Sequence, residues 1–224
     1  MTTQKDKIPR SFYERASHYS FRRGKISTKN LDRLCRENAT DKRTLVVHSE
    51  DVKYKAYFPN AYAVTKRAHK PADMHVDLYY RDLKKLPSES YDVILCTGLL
   101  EHVPDPQRLI DDLKRILVPG GKLIISASAV FSFHEGPDNF FHFTPFSFRL
   151  MFKDWSKIEV LRGASQPFET IAILMQRVLL QSSMSPFARP VVELLSTIIP
   201  VFDRFLIKQY DNTWNKTPDH ELDS

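Results

Sequence analysis

The sequence predicts an α/β fold: an open, mostly parallel sheet with helices on both faces, N-terminal helices before it and a helical extension after it. Two observations carry this expectation. Residues 91–126 run strand, loop, helix, tight turn, strand, the pattern of parallel strands joined by a helical crossover. The runs Thr44–Val47 and Tyr91–Cys96 are short, rich in β-branched or large aliphatic residues, and suited to strands buried on both faces.

In chain order, residues 10–23 and 27–38 are predicted as helices. The second can be capped by Ser27 or Thr28 and carries Leu31 and Leu34 on one face. Strand Thr44–Val47 follows, then weaker strand candidates at Ala61–Thr65 and His75–Tyr79. After Tyr91–Cys96, Asp105 and Pro106 open a helix, Asp as N-cap and Pro where a missing N–H costs nothing. Leu109, Leu113, Ile116 and Leu117 lay an apolar stripe along it. Pro119-Gly120-Gly121 is expected to stop that helix and turn into a strand over Lys122–Ser126. A short helix near Phe146–Phe152 and a strand near Ile158–Leu161 are expected next.

The boundaries expected are a basic helical arm over 1–43, an α/β core over 44–165, an amphipathic extension over 166–210 and a polar, acidic tail over 211–224. In the extension, Ile171, Leu174 and Val178, then Val192, Leu195, Ile199, Phe202 and Phe205, form helical apolar clusters punctuated by Pro186, Pro190 and Pro200. Such faces pack onto the sheet, onto a twin subunit in a homodimer, or onto a membrane surface, and the sequence leaves the three open.

Composition narrows the class. Of 224 residues, 42% are hydrophobic and 27% charged, a globular balance. The longest apolar runs, such as Ile171–Met175, are far shorter than the ~20 residues that span a bilayer. The opening MTTQKDKIPR lacks the apolar stretch of a secretory signal, so a cytoplasmic, optionally membrane-peripheral, chain is expected. Cys35 and Cys96 make neither a disulfide framework nor a zinc site. The first 43 residues hold 12 Lys/Arg and 5 Asp/Glu, a balance of +7 against +6 for the whole chain. Arg10, Arg15, Arg22, Arg23 and Lys25 suit a solvated helix face or an anionic lipid surface; no nucleic-acid-binding motif accompanies them, and no nucleic-acid partner is expected.

Four fragments, in register, give the sequence a family likeness. They are Asp82-Leu83-Lys84-Lys85-Leu86-Pro87, Tyr91–Leu95, Leu100-Glu101-His102-Val103-Pro104-Asp105-Pro106 and Leu117-Val118-Pro119-Gly120-Gly121-Lys122-Leu123. Together they resemble the class I S-adenosylmethionine-dependent methyltransferases of the "type 11" branch. His134-Glu135-Gly136-Pro137 and Phe143-Thr144-Pro145 resemble a segment of members from polysaccharide and glycan biosynthesis. The resemblance implies a Rossmann-like sheet with the cofactor across the C-terminal ends of its first strands. It also implies methyl transfer to a small hydroxyl-bearing acceptor such as a sugar or a lipid- or nucleotide-linked glycan.

On that resemblance, His48, Ser49, Glu50, Asp51 and Thr65 line the cofactor cleft. Asp82 and Leu83 lie at adenine, Cys96, Thr97 and Gly98 beneath the methionine end, and His134 or His102 serves as base. Asn139 and His142 stand where relatives carry Asp and Arg. Some quinone-type members hold a metal with help from an acid at the position of Gly98, so no metal is expected here. Two departures stand out. No glycine occurs between Gly24 and Gly98, so the glycine-rich loop after the first strand is degenerate, and Thr65-Lys66 replaces the acid expected to bind ribose. These departures motivate the alternative: a catalytically inactive, methyltransferase-like binding or scaffold protein.

Overall fold

The computed structural model describes residues 24–47, 54–66, 72–77, 80–131, 138–159, 163 and 165–206. The expected helix at 10–23, the candidates His48–Asp51 and His134, and the polar tail lie outside the described residues. The chain divides into two compact units, one of Leu31–Arg162 and one of Met1–Asn30 with Gly163–Ser224.

The first unit holds a five-stranded sheet: β1 (Thr44–Val47), β2 (Ala61–Thr65), β3 (Met74–His75), β4 (Tyr91–Thr97) and β5 (Leu117–Ser126). The spatial order is β3-β2-β1-β4-β5 and every pairing is parallel, so the fold is Rossmann-like, as expected. Strand alternation sends each side chain to one of two cores. Leu45, Val47, Ile94 and Cys96 join a cluster with Leu109, Ile110, Leu113 and Ile116 of helix α2 (Pro106–Ile116). Val46, Val93, Leu95 and Ile124 face Phe58 and Cys35 on the other side, the latter from helix α1 (Ile26–Glu37).

Local chemistry fixes the ends. Asp105 Oδ1 accepts the Arg108 amide at 3.1 Å, capping α2, with Pro106 at the first helical position. Thr144 caps helix α3 (Pro145–Met151) in the same way, its hydroxyl accepting the Ser147 amide at 3.3 Å. The expected turn at Pro119–Gly121 needs correction, because the strand begins before it. Leu117 already pairs with Tyr91, and Lys122 pairs with Val93, so five steps along β5 answer two along β4. The surplus residues bulge out, Gly120 taking φ +75° and the backbone folding back so that a Cβ on Gly121 would lie 2.9 Å from the Val118 carbonyl. The third strand covers Met74–His75 and so ends where the expected strand His75–Tyr79 was to begin; residues 78 and 79 lie outside the described set. Lys157–Glu159 form no strand, and residues 160–162 lie outside the described set.

The second unit contains helix α4 (Pro167–Gln181), helix α5 (Ala188–Ile198) and a 3₁₀ segment, Ile199–Phe205. The Asp203 carboxylate accepts the Phe168 and Glu169 amides, each at 2.9 Å, and so closes the N-terminus of α4. Gln176 Oε1 accepts the Ile26 amide at 3.0 Å. No helix of the described residues is long and apolar enough to cross a membrane.

Candidate functional site

In a parallel α/β sheet, ligands bind outside the C-terminal ends of the strands where the strand order reverses. Here the reversal lies between β1 and β4, and the register sets Val64, Val47 and Cys96 side by side at the strand ends. Thr65, Lys66, Thr97 and Gly98 follow at that edge.

Gly98 has φ +58°, and a Cβ built there would meet nothing within 4 Å. Its amide donates to Ser126 O at 2.9 Å, holding the end of β4 to β5 beside open space. The next residues turn as a 3₁₀ segment, Leu100–His102, whose side chains are all buried. Glu101 is only 3% exposed. Its carbonyl accepts the Phe140 amide at 2.8 Å, and its Oε1 accepts the Ser128 amide at 3.3 Å. Its Oε2 is buried with no hydrogen-bond partner among the described residues, and so are Thr97 Oγ1, Ser128 Oγ and Asn139 Nδ2. A native fold rarely leaves one such atom unsatisfied, so a group of them at the strand ends is the mark of a site for a polar ligand.

Electrostatics agree. Burial holds the Glu101 carboxyl above the usual carboxylate range, while the backbone amides of Glu101 itself and Ser128 and the proximity of the His102 and His142 rings pull it back. His102 is 2% exposed, and its Nδ1 lies 2.5 Å from the Asp138 carbonyl. A carbonyl only accepts, so Nδ1 carries a proton and donates it to this bond. Burial, then the Glu101 charge, pushes the Cys96 thiol far up, so Cys96 is a neutral apolar wall and not a nucleophile. Among the described residues no three His, Cys, Asp or Glu side chains group as a metal site needs.

Of the residues expected at the site, Thr65, Thr97, Gly98 and His102 lie together at this edge. Cys96 is fully buried in the core cluster, and so is Leu83, whose carbonyl accepts from Arg115 Nη2 at 3.0 Å. Asp82 lies on the 3₁₀ segment Arg81–Lys85 and pairs with Lys85 Nζ at 2.6 Å, which holds its carboxyl below the usual range. Glu101 and Ser128 were not singled out from sequence, although Glu101 lies inside the strongest motif. The missing signal was burial, which a lone acid beside a histidine does not announce.

Residues 29–125 match the family model described as a methyltransferase domain. The parallel sheet β3-β2-β1-β4-β5 lies almost wholly within the matched residues. Over 65 residues the chain is 37% identical to a ubiquinone biosynthesis O-methyltransferase of Coxiella burnetii, covering 28% of each chain. Over 58 residues it is 40% identical to the Xanthomonas oryzae pv. oryzae protein of that name, covering 25% of this chain and 24% of that one. The matched stretch thus spans about a quarter of the curated relatives' length. A solved SAM-dependent methyltransferase from Archaeoglobus fulgidus superposes with TM-score 0.49 at 14% identity, covering 88% of this chain and 95% of that one.

Proposed function

We propose that the protein transfers a methyl group from S-adenosylmethionine to a hydroxyl oxygen of a small acceptor. The buried Glu101 carboxylate, just past the end of β4 and with one oxygen unpartnered among the described residues, is the observation that carries this reading. When bound, S-adenosylmethionine supplies an electrophilic methyl carbon on a sulfonium. Gly98 leaves room for the cofactor's approach, and Thr65 and Thr97 line the strand ends beneath it. Alignment is most of the catalysis, and a base is needed because the hydroxyl must lose its proton as oxygen attacks carbon. Glu101 Oε2 accepts that proton, burial making the carboxylate more basic than one in water. His102 holds the segment at Asp138 in place through its bond to the carbonyl.

The relatives' printed activity supports a hydroxyl acceptor, and one on a ubiquinone precursor is the first class to test. The His134 segment motivates a sugar or glycan acceptor as the second. The stripe of Phe187, Leu194, Ile198 and Phe205, each more than 40% exposed, supports peripheral contact with a membrane surface. The experiment is turnover of 3,4-dihydroxybenzoate and of UDP-glucose with S-adenosylmethionine, for wild type, Glu101→Gln and His134→Ala. Glu101→Gln lowers turnover on the order of 10²-fold or more with S-adenosylhomocysteine affinity kept. The same loss in His134→Ala, with Glu101→Gln unaffected, transfers the base to His134. Failure of wild type to bind S-adenosylhomocysteine at millimolar concentration establishes the inactive scaffold instead.

A further inference from the structure

We infer that Asp138, from the segment after β5, supplies the carboxylate for the ribose diol of the bound cofactor, replacing the acid that the end of β2 lacks. The inference rests on the methyl-transfer reading above. Strand β1 lies between β2 and β4, so the ends of those two strands are about 10 Å apart. Asp138 is tied to both. Its Oδ2 lies 3.4 Å from Lys66 Nζ, one residue past β2, and its carbonyl accepts from His102 Nδ1, just past β4. Residue 138 therefore bridges the crevice at the end of β1, where the strand order reverses and ligands lie.

The charges fit that task. Thr65-Lys66 stands where the family resemblance implies an acid, and the Lys66 side chain is only 12% exposed. A cation drawn in so far needs an anion, and the anion it meets is Asp138, itself 30% exposed. A carboxylate offers about four lone-pair positions. Lys66 takes one on Oδ2, which leaves positions for two adjacent hydroxyl donors, the geometry of a vicinal diol. Since the His102 bond goes to the backbone carbonyl, replacing the Asp138 side chain leaves the segment anchored.

The test is titration calorimetry with S-adenosylhomocysteine, 5′-methylthioadenosine and 2′-deoxy-5′-methylthioadenosine on wild type, Asp138→Asn and Asp138→Ala, with melting curves to verify folding. Wild type is expected to prefer the ribose compound over its deoxy counterpart. Both variants are expected to bind S-adenosylhomocysteine roughly ten- to a hundredfold more weakly and to lose that preference. Equal affinity with the preference intact in Asp138→Ala overturns the assignment alone and leaves methyl transfer standing. Tighter binding by Asp138→Ala overturns it too, and makes the Lys66–Asp138 pair a latch that obstructs the crevice. No binding of S-adenosylhomocysteine by wild type overturns the underlying reading and this inference with it.

Discussion

Glu101 and Ser128 meet across 27 residues of sequence: the Ser128 amide donates to Glu101 Oε1 at 3.3 Å, while Oε2 stays buried and unpartnered among the described residues. One oxygen thus anchors the end of β5 to the end of β4, and the other is held ready in a place where water does not solvate it.

That arrangement has a sign in stability. Burial raises the folded-state pKa of Glu101 above its unfolded value. A carboxyl shifted this way favours the folded state while protonated, below the unfolded pKa, and that stability is lost as pH rises through the folded pKa. Glu101→Gln cannot lose it. The melting temperature of Glu101→Gln minus that of wild type should therefore grow as pH rises from about 4 to about 8, starting near the ordinary carboxylate range. Thermal melts across that range decide it, and a constant difference would show that Glu101 folds without a shifted pKa.

His102→Ala should behave differently from Glu101→Gln. It removes a buried side chain and strips the Asp138 carbonyl of its donor, a loss of about 1–3 kcal/mol. Denaturant unfolding should record that loss together with lowered turnover. Lowered turnover at unchanged stability would instead assign His102 a direct part in proton transfer.

At the bulge of β5, two adjacent glycines should respond unequally. A Cβ on Gly120 meets nothing within 4 Å, so Gly120→Ala carries only the strain of φ +75°, about 1 kcal/mol. A Cβ on Gly121 would lie 2.7 Å from Leu117 Cγ and 2.9 Å from the Val118 carbonyl, and backbone cannot step aside cheaply. Gly121→Ala should cost more, about 1–3 kcal/mol, by chemical denaturation. The reverse ranking would mean that the bulge relaxes around a side chain at 121.

In the second unit, Asp203→Ala should expose the amides of Phe168 and Glu169 and fray the start of α4. The cost expected is about 1 kcal/mol, with Asp203→Asn retaining part of the cap. Hydrogen exchange at residues 168–170 reads the effect directly; unchanged protection in Asp203→Ala would show that packing alone holds this helix end.

The sequence by itself determined what depends on neighbours along the chain. Thr44–Val47, Ala61–Thr65 and Tyr91–Cys96 are strands because compact apolar runs can be buried on both faces, and the structure places strands there within a residue. Asp105-Pro106 and Thr144-Pro145 start helices because cap and first turn are a matter of three adjacent residues. The motif around Leu100–Pro106 likewise placed His102 at the strand ends. Tertiary structure decided the rest, because those features need partners far apart in sequence. Leu117 joined β5 and not the helix because Tyr91 was there to pair with it. Leu83 and Cys96 went to the core, whose packing no local pattern reports. Lys66 met Asp138 across 72 residues, and Glu101 became a buried carboxyl only when Ser128 closed over it. Ionisation and unmet hydrogen bonds, which give the site its chemistry, are set by burial, and burial exists only once the chain has folded.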